Sequence, residues 1–163
     1  MLSPLQHDCA SEAIDQRTST PGRTANPVRV TVAENRLGIV RWFVDGMNVI
    51  GTRPDAWWKD RHAAMVRLVH SLENWVAATG EDVIVVFEQP PRPPIRSTVI
   101  EVAHAPRPRR DSADDEIVRR VCEEREPGAI RVVTSDLWLV DRVHAAGATV
   151  QASDAFRTWI EDV

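Results

Sequence analysis

From Leu37 onward, short and nearly continuous apolar runs alternate with longer segments whose apolar residues recur every three or four positions. Runs over residues 39–44, 83–87 and 130–134 are rich in β-branched side chains and lack the alternation of a strand with one wet face. Each reads as a strand buried on both sides. Met65, Leu68, Val69, Leu72 and Val76 recur at helical spacing over residues 60–79, and Gly80 stops that helix. The next helix starts near Ser112 or Ala113, where Ser112 and Asp115 make a capping-box-like opening. It carries Ile117, Val118 and Val121 on one face and ends near Glu126, before Pro127-Gly128. Residues 137–146 read as a helix closed by Gly147, and residues 148–151 as a final strand. Ser153 is placed to cap a last helix with Phe156, Trp159 and Ile160 facing inward. Residues 99–102 read as a short strand, and residues 51–58 and 89–94 as loops, the latter because its prolines remove donors and fix the backbone. Strand, helix, strand order predicts an α/β protein with three layers, α/β/α, around a central, mostly parallel sheet.

Residues 1–36 are different. They are rich in Ser, Thr, Asp, Arg and Pro without sustained periodicity, and they are expected to stay disordered, since they bury too little apolar surface to offset chain entropy. The expected folded domain is 37–163. The whole chain has 163 residues with 43% hydrophobic and 27% charged content, the composition of an ordinary globular protein. A net charge of −4 argues against tight, sequence-independent nucleic-acid binding over the whole surface, so any such contact must use a local basic patch. Cys9 and Cys122 fit no metal-ligand spacing, and Cys122 reads as a small, buried or half-buried helical side chain. A cytoplasmic setting is the simple expectation. No apolar run approaches a membrane span, and no signal-peptide layout stands at the N-terminus.

The chemistry lies where the strands end. Asp45 closes the first run and is followed by Gly46 and Asn48. Glu88 closes the second run, and Asp136 follows the third. In a parallel sheet these acids reach one edge, the ligand-binding edge of α/β folds. Asp111, Asp114 and Asp115 open the helix beyond. Like charges gathered together require a cation or shared protons, and hard oxygen ligands in this number suit Mg²⁺ or Mn²⁺. An Asp at a strand end can also simply cap a turn or helix, so the joint occurrence of Asp45, Asn48, Asp114 and Asp136 carries the argument rather than any one of them. Asp114 is preferred as ligand over Asp115, which the capping box would occupy, and Glu88 is a further candidate.

Arg92, Arg96, Arg107, Arg109 and Arg110 lie in or beside the loops before the acidic helix. Arginine suits bidentate phosphate contact, although a solvated charged loop accounts for any one of them alone. Trp57 could stack on a base or simply cover the core. An acidic metal site with a basic rim is the layout of a phosphodiester-cleaving enzyme. Phosphate-loop and dinucleotide-binding glycine motifs are missing, as is a nucleophile elbow. An aspartate-nucleophile phosphatase would carry a second Asp at the position of Met47.

Val44-Asp45-Gly46-Met47-Asn48-Val49-Ile50-Gly51, Val85-Val86-Phe87-Glu88, Asp111-Ser112-Ala113-Asp114-Asp115 and Val133-Thr134-Ser135-Asp136 stand in the order and spacing of NYN-domain proteins of the PIN-like nuclease superfamily. The chain resembles the YacP-like branch over residues 38–163. The resemblance implies a PIN-like fold and metal-dependent ribonuclease activity, with Asp45, Asn48, Asp114 and Asp136 at the metal site. Two departures stand out: relatives usually carry Asp, often Asp-Gly, where this chain has Glu88-Gln89, and frequently Tyr where it has Met47. The expected function is therefore an endoribonuclease using Mg²⁺ or Mn²⁺, with Asp45, Asp114 and Asp136 as ligands and Glu88 and Asp115 as further candidates. Its expected partner is RNA, free or presented on the ribosome. The alternatives are a non-catalytic RNA- or ribosome-binding module, motivated by Glu88 and the negative charge, and a metal-dependent phosphatase or 5′-nuclease.

Overall fold

Trp42, Phe43 and Val44 are each almost fully buried, which requires cover on both faces of the strand they form. A computed structural model describes residues 40–163, and the expectation for residues 1–36 lies outside them. That strand, β1 (Arg41–Asp45), is the centre of a five-stranded sheet, flanked by β2 (Asp82–Phe87) and β4 (Ile130–Val133). β3 (Glu101–His104) and β5 (Thr149–Gln151) form the edges, giving the order β3-β2-β1-β4-β5 with every pairing parallel. Five helices complete the three layers: α1 (Gly46–Gly51), α2 (Arg61–Thr79), α3 (Ser112–Glu123), α4 (Leu137–Ala145) and α5 (Ser153–Glu161).

The side chains of β1 alternate between two cores. Trp42 and Val44 face α1, α2 and α5 with Leu68, Leu72, Trp75 and Phe156. Phe43 faces α3 and α4 with Ile117, Val121, Leu139 and Val143. Three rings organise the first core: Phe156 stacks on Trp42 at 5.3 Å and meets Trp75 edge-on at 5.3 Å, while Trp42 and Trp75 meet edge-on at 5.2 Å. None of the described helices is long and apolar enough to cross a membrane.

Four expectations need correction. The strand placed at 99–102 begins instead at Glu101, because the Ser97 hydroxyl accepts the Val99 and Ile100 N–H groups, both at 3.1 Å, and holds them out of the sheet. α3 stops at Glu123 rather than near Glu126, since Pro127 would meet the carbonyl of residue 123 if the helix continued. The residues after β1 form a helix at once, and it takes in Gly51, which was expected to open the loop 51–58. Trp159 is 44% exposed and packs only at the rim of Phe156, at 6.4 Å.

Candidate active site

β1 and β4 lie side by side at the point where the chain's path across the sheet reverses, which is where open parallel sheets form their ligand crevice. Asp45 is the last residue of β1 and the N-cap of α1. Its Oδ1 accepts the Asn48 backbone N–H at 3.2 Å, and its Oδ2 accepts the Thr134 hydroxyl at 3.4 Å. Burial pushes its carboxyl up to about 6 against those hydrogen bonds, and the charges of Glu88 and Asp136 push the same way.

Asp114 comes from the first turn of α3 and is 8% exposed. Burial pushes its carboxyl up to about 7, and the charges of Asp45, Asp136, Asp111 and Asp115 add to this. Asp136 caps α4, and Oδ1 takes both bonds, from the Trp138 and Leu139 N–H groups at 2.9 and 3.1 Å. Its Oδ2 takes none among the described residues. Thr134 locks this corner: the hydroxyl that donates to Asp45 accepts the Asp136 N–H at 3.1 Å. Sequence reasoning passed over Thr134, although a hydroxyl two residues before a capping Asp is the signature of such a turn.

Asn48 holds Asp45 through its backbone N–H, while its side chain acts as a brace. Its Oδ1 accepts the Ser135 N–H at 2.9 Å and the Ser153 hydroxyl at 2.7 Å, so α1 is tied to the Asp136 loop and to α5. Ser153 is thus not the cap of α5, where Ala152 takes that place. We expect Ser153→Ala to lower stability by about 1 kcal/mol in urea unfolding with an unchanged slope, because the Ser135 N–H still satisfies Asn48. An unchanged midpoint would show that the Ser153 bond contributes nothing.

The capping box expected from Ser112 and Asp115 does not form. Asp111 is the N-cap, in a left-handed conformation (φ 60°) and without a side-chain bond to the helix. The Ser112 hydroxyl instead donates to the Glu88 carbonyl and accepts the Arg109 N–H, both at 3.3 Å, fastening the start of α3 to the end of β2. Asp115 is held by Arg109 on one oxygen and by Arg142 at 2.9 Å on the other. Arg142 also lies over the Trp138 ring at 4.2 Å. Arg142 was not singled out from sequence, since its contact with Asp115 joins segments 27 residues apart.

The acids therefore divide into two groups. Asp115 is neutralised by arginines, whereas Asp45 and Asp114 have no ion-pair partner among the described residues. Glu88 lies between these cases, 3.9 Å from Arg61 and within electrostatic reach of Asp45. Among the described residues, no three acidic, His or Cys side chains converge closely enough to cage an ion. A donor set of unpaired carboxylates fits a hard divalent cation held through one or two of them, with water completing its shell.

The basic rim is less uniform than expected. Arg107 and Arg110 are exposed on the loop before α3, with Arg110 3.7 Å from Asp111. Arg109 is committed to Asp115, and Arg92 lines a cleft beside Glu88 that Arg96 does not reach. Trp57 is packed against the first core, while Trp58 beside it is 57% exposed.

The family model of the YacP-like NYN domain matches residues 42–163. Two crystal structures of Rae1 (YacP) from Bacillus subtilis share the fold. A tryptophan-to-leucine mutant form superposes with a TM-score of 0.62 at 23% identity, covering 76% of each chain. The other form gives a TM-score of 0.59 at 23% identity, covering 74% of this chain and 73% of that one. No curated protein matches the chain. With the family pattern running from Trp42 to the last residue over a fold shared with the Rae1 structures, the chain belongs to the YacP-like NYN domain family.

Proposed function

We propose that this protein is an endoribonuclease that hydrolyses RNA phosphodiester bonds with the aid of Mg²⁺ or Mn²⁺. One observation carries the reading: Asp45 and Asp114, buried and from separate elements, are both held back from ionisation, and neither has an ion-pair partner among the described residues. Such a pair is unfavourable unless a ligand offsets it. A divalent cation held by Asp45 and Asp114, with Asp136 at its side, would supply positive charge at the phosphate and lower the pKa of water. Water is the nucleophile. Thr134 and Asn48 keep the acids in register across α1 and the β4–α4 turn. Arg107 and Arg110 hold the RNA backbone through its phosphates.

The test is cleavage of a labelled, partly single-stranded RNA with Mn²⁺, Mg²⁺ or EDTA. Wild type should cut only with metal, and Asp136→Asn should cut far more slowly. Undiminished hydrolysis by Asp136→Asn would sink the proposal. A second reading, RNA or ribosome binding without turnover, draws on the lack of a three-ligand cage among the described residues. RNA bound but not cut, equally by wild type and Asp45→Asn, would select it.

A further inference from the structure

We propose that a cleft beside the acids is a nucleotide subsite, seating the base and phosphate that adjoin the scissile bond of an RNA substrate. The substrate class rests on the nuclease reading above; the site itself rests on the lining of the cleft. It opens between α1, the start of α2 and the loops that follow β2 and β3, with a volume of about 450 Å³. Binding pockets for small organic ligands span roughly 300–1,000 Å³, so a nucleotide is of suitable size.

The position is set by the fold. Met47 lies two residues beyond Asp45, and Glu88 directly follows β2, so the cleft starts at the acid site and runs toward the β2 side. Met47, Met65, Pro90, Pro91 and Pro108 give it apolar surface. Methionine sulfur and the apolar faces of proline rings suit an aromatic base, and such contacts tolerate any of the four bases. Gln89 adds an amide able both to donate to and accept from a base edge.

Arg61 and Arg92, both exposed, supply the phosphate contact. Arg61 is partly ordered in advance. Its guanidinium lies 5.8 Å from the centre of the Trp57 ring, and Nη2 stands 3.9 Å from Glu88. The outer wall is also fastened, since His62 Nε2 bonds the Pro93 carbonyl at 2.8 Å, tying α2 to the proline-rich loop. This gives that loop a role as the wall of a binding site. It also assigns Met47, where the family often has Tyr, to the floor of the cleft.

The chain has three methionines, Met1, Met47 and Met65, so methyl labelling reports on the cleft almost alone. The full chain, labelled with ¹³C-methyl methionine, would be titrated in EDTA with each of the four ribonucleoside 5′-monophosphates, and separately with inorganic phosphate. We expect the Met47 and Met65 methyl signals to shift saturably with at least one nucleotide, while Met1 stays still. In Arg61→Ala/Arg92→Ala the dissociation constant should rise roughly tenfold, the loss expected for charge-assisted contacts. Mononucleotide binding in EDTA requires no cleavage, so the subsite stands or falls separately from catalysis. The subsite is overturned if Met65 fails to shift at millimolar nucleotide, if inorganic phosphate reproduces the shifts, or if the arginine variant binds equally well.

Discussion

Asp45→Asn should cripple RNA cleavage and at the same time make the metal-free protein more stable at alkaline pH. The two effects share one cause. In the folded state the Asp45 carboxyl is pushed from 3.8 up to about 6, mainly by burial. The unfolded chain has already lost that proton at a pH where the folded protein still holds it. Stability from this group is therefore fully present below pH 3.8 and falls as pH rises through about 6. The displacement corresponds to about 3 kcal/mol at alkaline pH. Asparagine has nearly the same shape, can still cap α1 and carries no charge, so the variant escapes most of this loss. Part of the gain is returned through weaker bonds to Asn48 and Thr134. Cleavage should fall by roughly a thousandfold, because several kcal/mol of charge stabilisation at the phosphate disappear with the carboxylate.

Thermal unfolding at about pH 5 and about pH 8, with EDTA or with Mg²⁺ or Mn²⁺, separates the effects. Wild type should be less stable at the higher pH in EDTA and should recover with the cation, which binds only the folded state. Asp45→Asn should be flatter in pH and less responsive to the cation. A variant that loses stability at alkaline pH in EDTA would show that Asp45 is structural, and cleavage at the wild-type rate would remove it from the chemistry.

How much of this was legible beforehand depends on the range of the interaction. The strands that end at Asp45 and Phe87, and the one just before Asp136, were readable because a strand covered on both faces must be apolar throughout, and a polar residue at its end marks the sheet edge. The recurrence of the pattern then placed the acids together. α1 was not readable: six residues are too few for a helical period to show. The start of α3 was placed correctly but its cap was misread, because a left-handed Asp111 gives the chain a different path into the helix and frees Ser112 to bind the end of β2. The pairing of Asp115 with Arg142, 27 residues away, has no local signature. That pairing decides which acids stay uncompensated, so sequence could nominate the carboxylates but could not sort them.

Gly46→Ala should damage both the fold and the site although it adds a single methyl group. Gly46 is buried, the first residue of α1, directly after Asp45. A Cβ there would stand 2.3 Å from Phe87 Cε1, 2.7 Å from Phe87 Cδ1 and 3.1 Å from Val85 Cγ2. The ring cannot step aside, since Phe87 is fully buried in the first core. Alanine improves helix propensity by up to about 1 kcal/mol, but overpacking a close-packed core costs roughly 1–3 kcal/mol and occasionally more. Contact with a trapped ring belongs at the upper end. We expect a net loss near 2 kcal/mol and a fall in melting temperature on the order of 10 °C. Relief must come from α1 lifting off β2, which carries Asp45 away from Thr134 and Asp114, so cleavage should fall together with stability. Phe87→Leu opens space beside the new methyl group. On its own it should be destabilising, but combined with Gly46→Ala it should recover part of the loss in both stability and cleavage, giving a coupling of 0.5 kcal/mol or more, as is typical of residues in contact. Additive effects of the two substitutions would mean that the close approach of α1 to Phe87 does not hold Asp45 in place.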